Sequence, residues 1–174
     1  MNNRQMANKG RGLEALVEFQ NEIYRQRRIA DIRKVHVNWV PIRGAGGQIT
    51  GAYPAKKSEL DFKGTLAGGQ TISFDCKETA NRRGLPCGNL SEHQVEYIQE
   101  SLCFGEFTFI LCEIKPLRQQ FVIPSGVVVE RWHSWQANRG VNGYGVIPVA
   151  EMILVPDTAR GACDYLKIVE ELQC

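Results

Sequence analysis

Two alternating stretches, roughly Leu60–Leu66 and Gln70–Lys77, are separated by the turn Ala67-Gly68-Gly69, and no other segment restricts the fold so closely. Such runs read as strands, and a glycine turn of this length folds the second back beside the first. Side chains alternate between the two faces of a strand, so Asp75 and Lys77 point one way and Cys76 the other. Antiparallel return sets Asp61 against Asp75. Two carboxylates and an ammonium therefore converge beside Leu60, Phe62, Ile72 and Phe74.

Two aspartates offer hard oxygen ligands for Mg²⁺, which keeps several waters and takes further ligands from a phosphate substrate. The ion lowers the pKa of a bound water and stabilises charge on phosphoryl oxygens. A lysine beside it stabilises an attacking hydroxide and a pentacoordinate transition state. The D-x₁₃-D-x-K pattern thus suits phosphodiester hydrolysis, although a solvated Asp–Lys pair of small energetic worth has the same spacing.

Other elements follow from periodicity. Leu13, Leu16, Val17, Ile23 and Tyr24 make a helical stripe, and Glu14, Glu18 and Glu22 stack on one face, where like charges call for cationic partners. Val35, Val37 and Trp39 read as a strand, and residues 41–59 as a long Gly- and Pro-rich loop with three basic residues. Ser91 and Gln94 have the capping-box spacing, opening a helix whose Val95, Ile98 and Leu102 face inward. Strands at Phe107–Ile114 and Gln119–Ile123 precede a helix capped by Ser125 and running through Trp135. Residues 137–148 read as a loop, and a final helix spans Ala162–Leu172. This order predicts an α/β fold, a mixed sheet with helices packed on it.

The 174 residues, 43% hydrophobic, suit one domain at 11–174 behind a polar arm at 1–10. No run of eighteen apolar residues exists, and the polar start has no signal-peptide core, so a cytoplasmic protein without membrane contact is expected. The six cysteines form no C-x₂-C pair and read as reduced thiols. A net charge of +2 conceals a split. Residues 1–87 carry fifteen Lys/Arg against eight Asp/Glu, and residues 88–174 carry six against eleven. Such asymmetry points to a polyanion-binding face.

Five segments, RGLEALVEFQN, SELDFKG, ISFDCKET, SEHQVEYI and DYLKIVEEL, occur in an order and spacing that resemble the RecU-type Holliday-junction resolvases of the PD-(D/E)xK nuclease superfamily. The resemblance spans nearly the whole chain. It implies a restriction-endonuclease-like fold, with 41–59 a protruding stalk, and a homodimer that nicks four-way junction DNA symmetrically with Mg²⁺, or Mn²⁺ as a substitute. Asp61 and Asp75, with the backbone carbonyl of Cys76, match the metal ligands, and Lys77 matches the catalytic lysine. Asp75 stands where the family more usually has Glu. Glu14 matches the acidic residue of the first helix, or is a surface carboxylate there. Gln94 matches a glutamine near the active site, or serves as the cap.

The same resemblance assigns Arg43, Lys56 and Lys57 to phosphates and Tyr53 to base stacking. Arg82 and Arg83 would hold the scissile strand, and Arg4, Lys9 and Arg11 would form a basic arm. Glu18 reads as a surface charge, and Glu78 and Thr79 as candidates to orient the lysine or a water. His36, His93 and His133 read as surface or packing histidines, and Trp132 and Trp135 as core or dimer contacts. Two other readings are a nuclease of this superfamily acting on other branched or duplex DNA, and a non-catalytic junction-binding protein.

Overall fold

A computed structural model describes residues 12–36, 39–54, 60–156 and 163–173. Helix α1 (Leu13–Gln26) leads into β1 (Ala30–Lys34), and a separate pair, β2 (Trp39–Arg43) and β3 (Ile49–Pro54), follows. Next come β4 (Phe62–Leu66), β5 (Thr71–Thr79), the short β6 (Gly84–Pro86) and α2 (Glu92–Cys103). The chain continues through β7 (Phe107–Ile114), β8 (Gln119–Pro124), α3 (Ser125–Ala137), β9 (Val146–Pro148), β10 (Ile153–Leu154) and α4 (Leu166–Gln173).

Six strands form one mixed sheet in the order β1-β4-β5-β7-β8-β10. Its central pair, β5 and β7, is parallel, and the other neighbours are antiparallel. Alternation along β5 divides the interior. Ile72, Phe74 and Cys76 join Leu13, Val17 and Tyr24 of α1 and Tyr165, Leu166, Ile168 and Val169 at the start of α4 in one core. Phe62, Phe74 and Phe109 stack across three adjacent strands, with centroids 5.1 and 4.6 Å apart. On the other face, Ile110, Cys112 and Ile123 pack against Val95 and Ile98 of α2 and Val128 and Trp132 of α3. The expected layout, a mixed sheet between helices, is therefore present. Trp132 and Trp135 pack edge to face at 5.0 Å and belong to this second core.

Several boundaries differ from expectation. The strand read at Val35–Trp39 lies earlier, because Ala30 and Ile32 turn inward while the charged Asp31 and Arg33 turn out. Val35 instead runs past the site, its N–H donating to the Asp61 carbonyl at 2.7 Å. Much of the 41–59 loop is a hairpin whose cross-strand backbone bonds need no apolar alternation, so its Gly- and Pro-rich composition conceals it. Residues 55–59 lie outside the described residues. Ser101, whose hydroxyl donates to Glu106 at 3.0 Å, takes the inward place in the last turn of α2, and Leu102 is exposed. Ser125 is the first helical residue of α3 and not its cap. The 137–148 loop contains β9, which pairs with β6, and α4 begins at Leu166.

Candidate active site

The β4–β5 register runs Thr65↔Thr71 through Phe62↔Phe74, so its continuation sets Asp61 against Asp75 just beyond the paired segment. Asp61 Oδ2 accepts the Cys76 N–H at 3.2 Å, which fixes this carboxylate at the end of β4. Asp75 is fully buried. Its Oδ1 accepts a bond of 2.7 Å from Gln94 Nε2, and its Oδ2 lies 2.6 Å from Lys77 Nζ. The Lys77 ammonium is thus the cation that the buried Oδ2 faces. Burial pushes the Asp75 carboxyl up to about 7, with Lys77 pulling it down and the nearby Asp61 pushing it further up.

Gln94 closes the cap and also touches Asp75. Its Oε1 accepts the Ser91 N–H at 3.2 Å, closing the capping box, while its Nε2 holds Asp75. The cap and the site are thus joined by one side chain. Three residues later on α2, Tyr97 donates to Glu106 at 2.8 Å and accepts from Lys63 Nζ at 2.9 Å, a second polar anchor of the helix on this face. Sequence reading missed this anchor, since Lys63, Tyr97 and Glu106 are far apart in the chain and match no motif.

Glu14 points to Lys34 on β1, whose ammonium lies 2.7 Å from Glu14 and 3.0 Å from Glu18. Arg25 pairs with Glu22, so all three stacked carboxylates of α1 have the cationic partners their spacing demands. Glu14 stays near enough to raise the pKa of the Cys76 thiol, though burial does most of that. Glu78 and Thr79 do not orient the lysine. Glu78 accepts the Leu13 N–H at 2.7 Å at the head of α1 and pairs with Lys115, and both contacts hold its carboxyl below the usual range. Thr79 accepts the Asn81 N–H.

Arg43 donates to the Gly47 carbonyl at 3.1 Å at the tip of the β2–β3 hairpin, and Tyr53 is exposed on the same hairpin. Arg82 and Arg83 are exposed beyond β5. Arg4, Lys9, Arg11, Lys56 and Lys57 lie outside the described residues. His133 contacts Gln99 at 3.1 Å, and His93 approaches Ser91 at 3.4 Å. His36 lines a separate groove between α1 and β1.

The Recombination protein U family model matches residues 8–171. The chain belongs to this family. The Holliday junction resolvase RecU of Geobacillus sp. (strain WCH70) is 31% identical over 176 residues, covering 95% of this chain and 84% of that protein. The protein of the same name from Leuconostoc mesenteroides is 28% identical over 171 residues, covering 94% and 81%. That from Oceanobacillus iheyensis is 29% identical over 182 residues, covering 98% and 89%. A solved structure of Archaeoglobus fulgidus Hjc, a Holliday junction resolvase, aligns with 64% of this chain and 78% of its own at 15% identity. Its TM-score to this chain is 0.35. Membership in the Recombination protein U family agrees with the resemblance drawn from the five segments.

The carboxylates of Asp61 and Asp75 converge here. Among the described residues no group of three or more His, Cys, Asp or Glu side chains is placed to hold a metal ion. Mg²⁺ keeps waters and needs only one or two protein carboxylates, so Asp61 and Asp75 are a donor set it can use. Asp75 Oδ2 already faces one cation, the Lys77 ammonium, so the site is one where positive charge is accommodated. The Cys76 N–H is turned toward Asp61, and the carbonyl of a strand residue points to the same side as its N–H. That side lies past the end of β4 at Phe62, so the carbonyl fits the same donor set.

Proposed function

We propose that this chain is a Mg²⁺-dependent endonuclease that resolves four-way DNA junctions by paired nicks, acting as a homodimer. The observation that carries the reading is Asp61, Asp75 and Lys77 on one face of β4–β5, with Asp75 Oδ2 buried against the Lys77 ammonium. Membership in the Recombination protein U family supports the substrate, since the matched relatives bear the name Holliday junction resolvase.

Asp61, Asp75 and the Cys76 carbonyl would hold Mg²⁺. Bound there, it supplies a water of lowered pKa and charge stabilisation at the phosphoryl oxygens. The chain's own part is positioning. The Cys76 amide fixes Asp61 and Gln94 fixes Asp75, so neither carboxylate must reorganise as the reaction proceeds. Lys77 is one-fifth exposed, which lets its ammonium leave Asp75 for a phosphate oxygen or an attacking hydroxide. Two such sites related by a two-fold axis would cut opposed strands symmetrically.

The test is a labelled four-way junction incubated with and without Mg²⁺, alongside flap, nicked and linear duplexes. The expected result is paired nicks in the four-way junction, dependent on the metal and much slower on the other substrates. Equal cutting of all four, or binding with no cleavage in Mg²⁺ or Mn²⁺, would overturn it. Sedimentation velocity checks the dimer independently.

A further inference from the structure

A second basic constellation lies past the end of β5, built from both halves of the chain. Arg83 is six residues beyond Lys77, so their backbones are no more than about 22 Å apart. Its main chain is pinned: the Arg83 N–H donates to Asn81 Oδ1 at 3.0 Å, and its carbonyl accepts the Val149 N–H at 3.0 Å. Next to it, Gly84 has φ +148°, and a Cβ there would stand 1.8 Å from the Ile147 carbonyl oxygen. Only glycine lets β6 and β9 meet this closely. The Arg83 side chain stays exposed.

That side chain lines a cavity of about 360 Å³ together with Arg131, Asn142, Gly143 and Gly145. Arg131 approaches from α3, where its Nε and Nη2 donate to the two carboxylate oxygens of Glu151. This bidentate pair fixes the guanidinium plane and leaves three of its five N–H donors for another acceptor. The glycine-rich wall is fixed too, because the Cys87 N–H donates to the Gly145 carbonyl at 3.0 Å and the Cys87 thiol to the Tyr144 carbonyl. Glu151 and the nearby Glu130 both act on Arg131, while Arg83 lines the same cavity, and planar guanidinium forks match phosphate oxygens.

We propose that this cavity is a phosphate subsite for the DNA strand, with Arg83 and Arg131 donating to the non-bridging oxygens of one backbone phosphate and Asn142 beside them. It rests on the nuclease reading and adds a contact point outside the Asp61, Asp75 and Lys77 cluster.

The experiment measures junction binding against salt in EDTA, so that no cleavage intervenes. Wild type, Arg83→Ala, Arg131→Lys and the control Lys167→Ala, on the exposed face of α4, are compared after thermal melts confirm folding. Arg83→Ala is expected to weaken binding several-fold and to lower the slope of log K against log salt by about one, as loss of one phosphate contact does. Arg131→Lys keeps the charge but loses the fork, and is expected to weaken binding with less change in slope. Lys167→Ala should match wild type. A wild-type slope in Arg83→Ala overturns the subsite, whereas wild type failing to bind the junction overturns the wider reading. Inorganic phosphate that raises the melting temperature of wild type and not of Arg83→Ala, with slopes equal, assigns the cavity to a free anion and overturns the strand contact.

Discussion

The β2–β3 and β4–β5 hairpins are both short antiparallel pairs turned by glycine, and their surroundings separate them. β4 and β5 sit inside the six-stranded sheet, where Phe62, Ile72, Phe74 and Asp75 are all fully buried. Among the described residues β2 and β3 pair only with each other, and Trp39, Ile42, Ile49 and Tyr53 remain between about half and two-thirds exposed. The same local geometry thus yields a buried frame in one place and an exposed surface in the other. Carboxylates held for catalysis need neighbours that cannot move, which a dry, close-packed interior supplies. A surface that meets a nucleic acid needs accessible rings and cations, which burial would remove.

The largest expected effect is in the buried hairpin. Lys77→Ala or Asp61→Asn should lower nicking of a four-way junction about a thousandfold or more while binding persists, since each removes preorganised charge from the reacting site. Near-normal nicking by either purified variant would remove the site from β4–β5. Next, Phe74→Ala takes away the middle ring of the Phe62–Phe74–Phe109 stack and should lower stability by about 3–5 kcal/mol in urea denaturation. A loss below about 1 kcal/mol would mean this hairpin is no more rigid than its neighbour.

A third expectation concerns pH. The Asp75 carboxyl titrates near 7 in the fold against an ordinary value of 3.8, because burial disfavours its charge. Between those values the folded chain holds a proton that the unfolded chain has released, so stability falls as pH rises from about 4 to 7. The loss is on the order of 3 kcal/mol. Asp75→Asn should flatten this slope in metal-free melts from pH 4 to 8, and an unchanged slope would show that Asp75 is not the group responsible. The smallest effect belongs to the other hairpin. Trp39→Ala should change stability by no more than about 0.5 kcal/mol, because its ring is already in water. A larger loss would show that β2–β3 is packed against something in solution.

Sequence patterning disclosed the elements whose side chains alternate or repeat under burial. β5, β7, β8 and α2 are in that class, and so is the meeting of Asp61 with Asp75, which follows from strand alternation and one glycine turn. What escaped depends on contacts distant along the chain. β1 is a charged edge strand whose inward Ala30 and Ile32 give a weak signal, and β6 and β9 are three residues each and exist by pairing with each other. The charge split between halves is a count along the chain, and Arg131 joins Arg83 from the acidic half, which no such count reveals. The choice between cap and site for Gln94 had no answer in sequence, because the side chain has two polar ends and uses both.

That double use makes the first turn of α2 a gauge of the site. When the turn frays, Ser91 loses its partner and Asp75 loses its hydrogen-bond donor in the same event. The exchange of the Ser91 amide proton with deuterated solvent therefore reports, without any substrate present, the fraction of time the buried carboxylate is held in place.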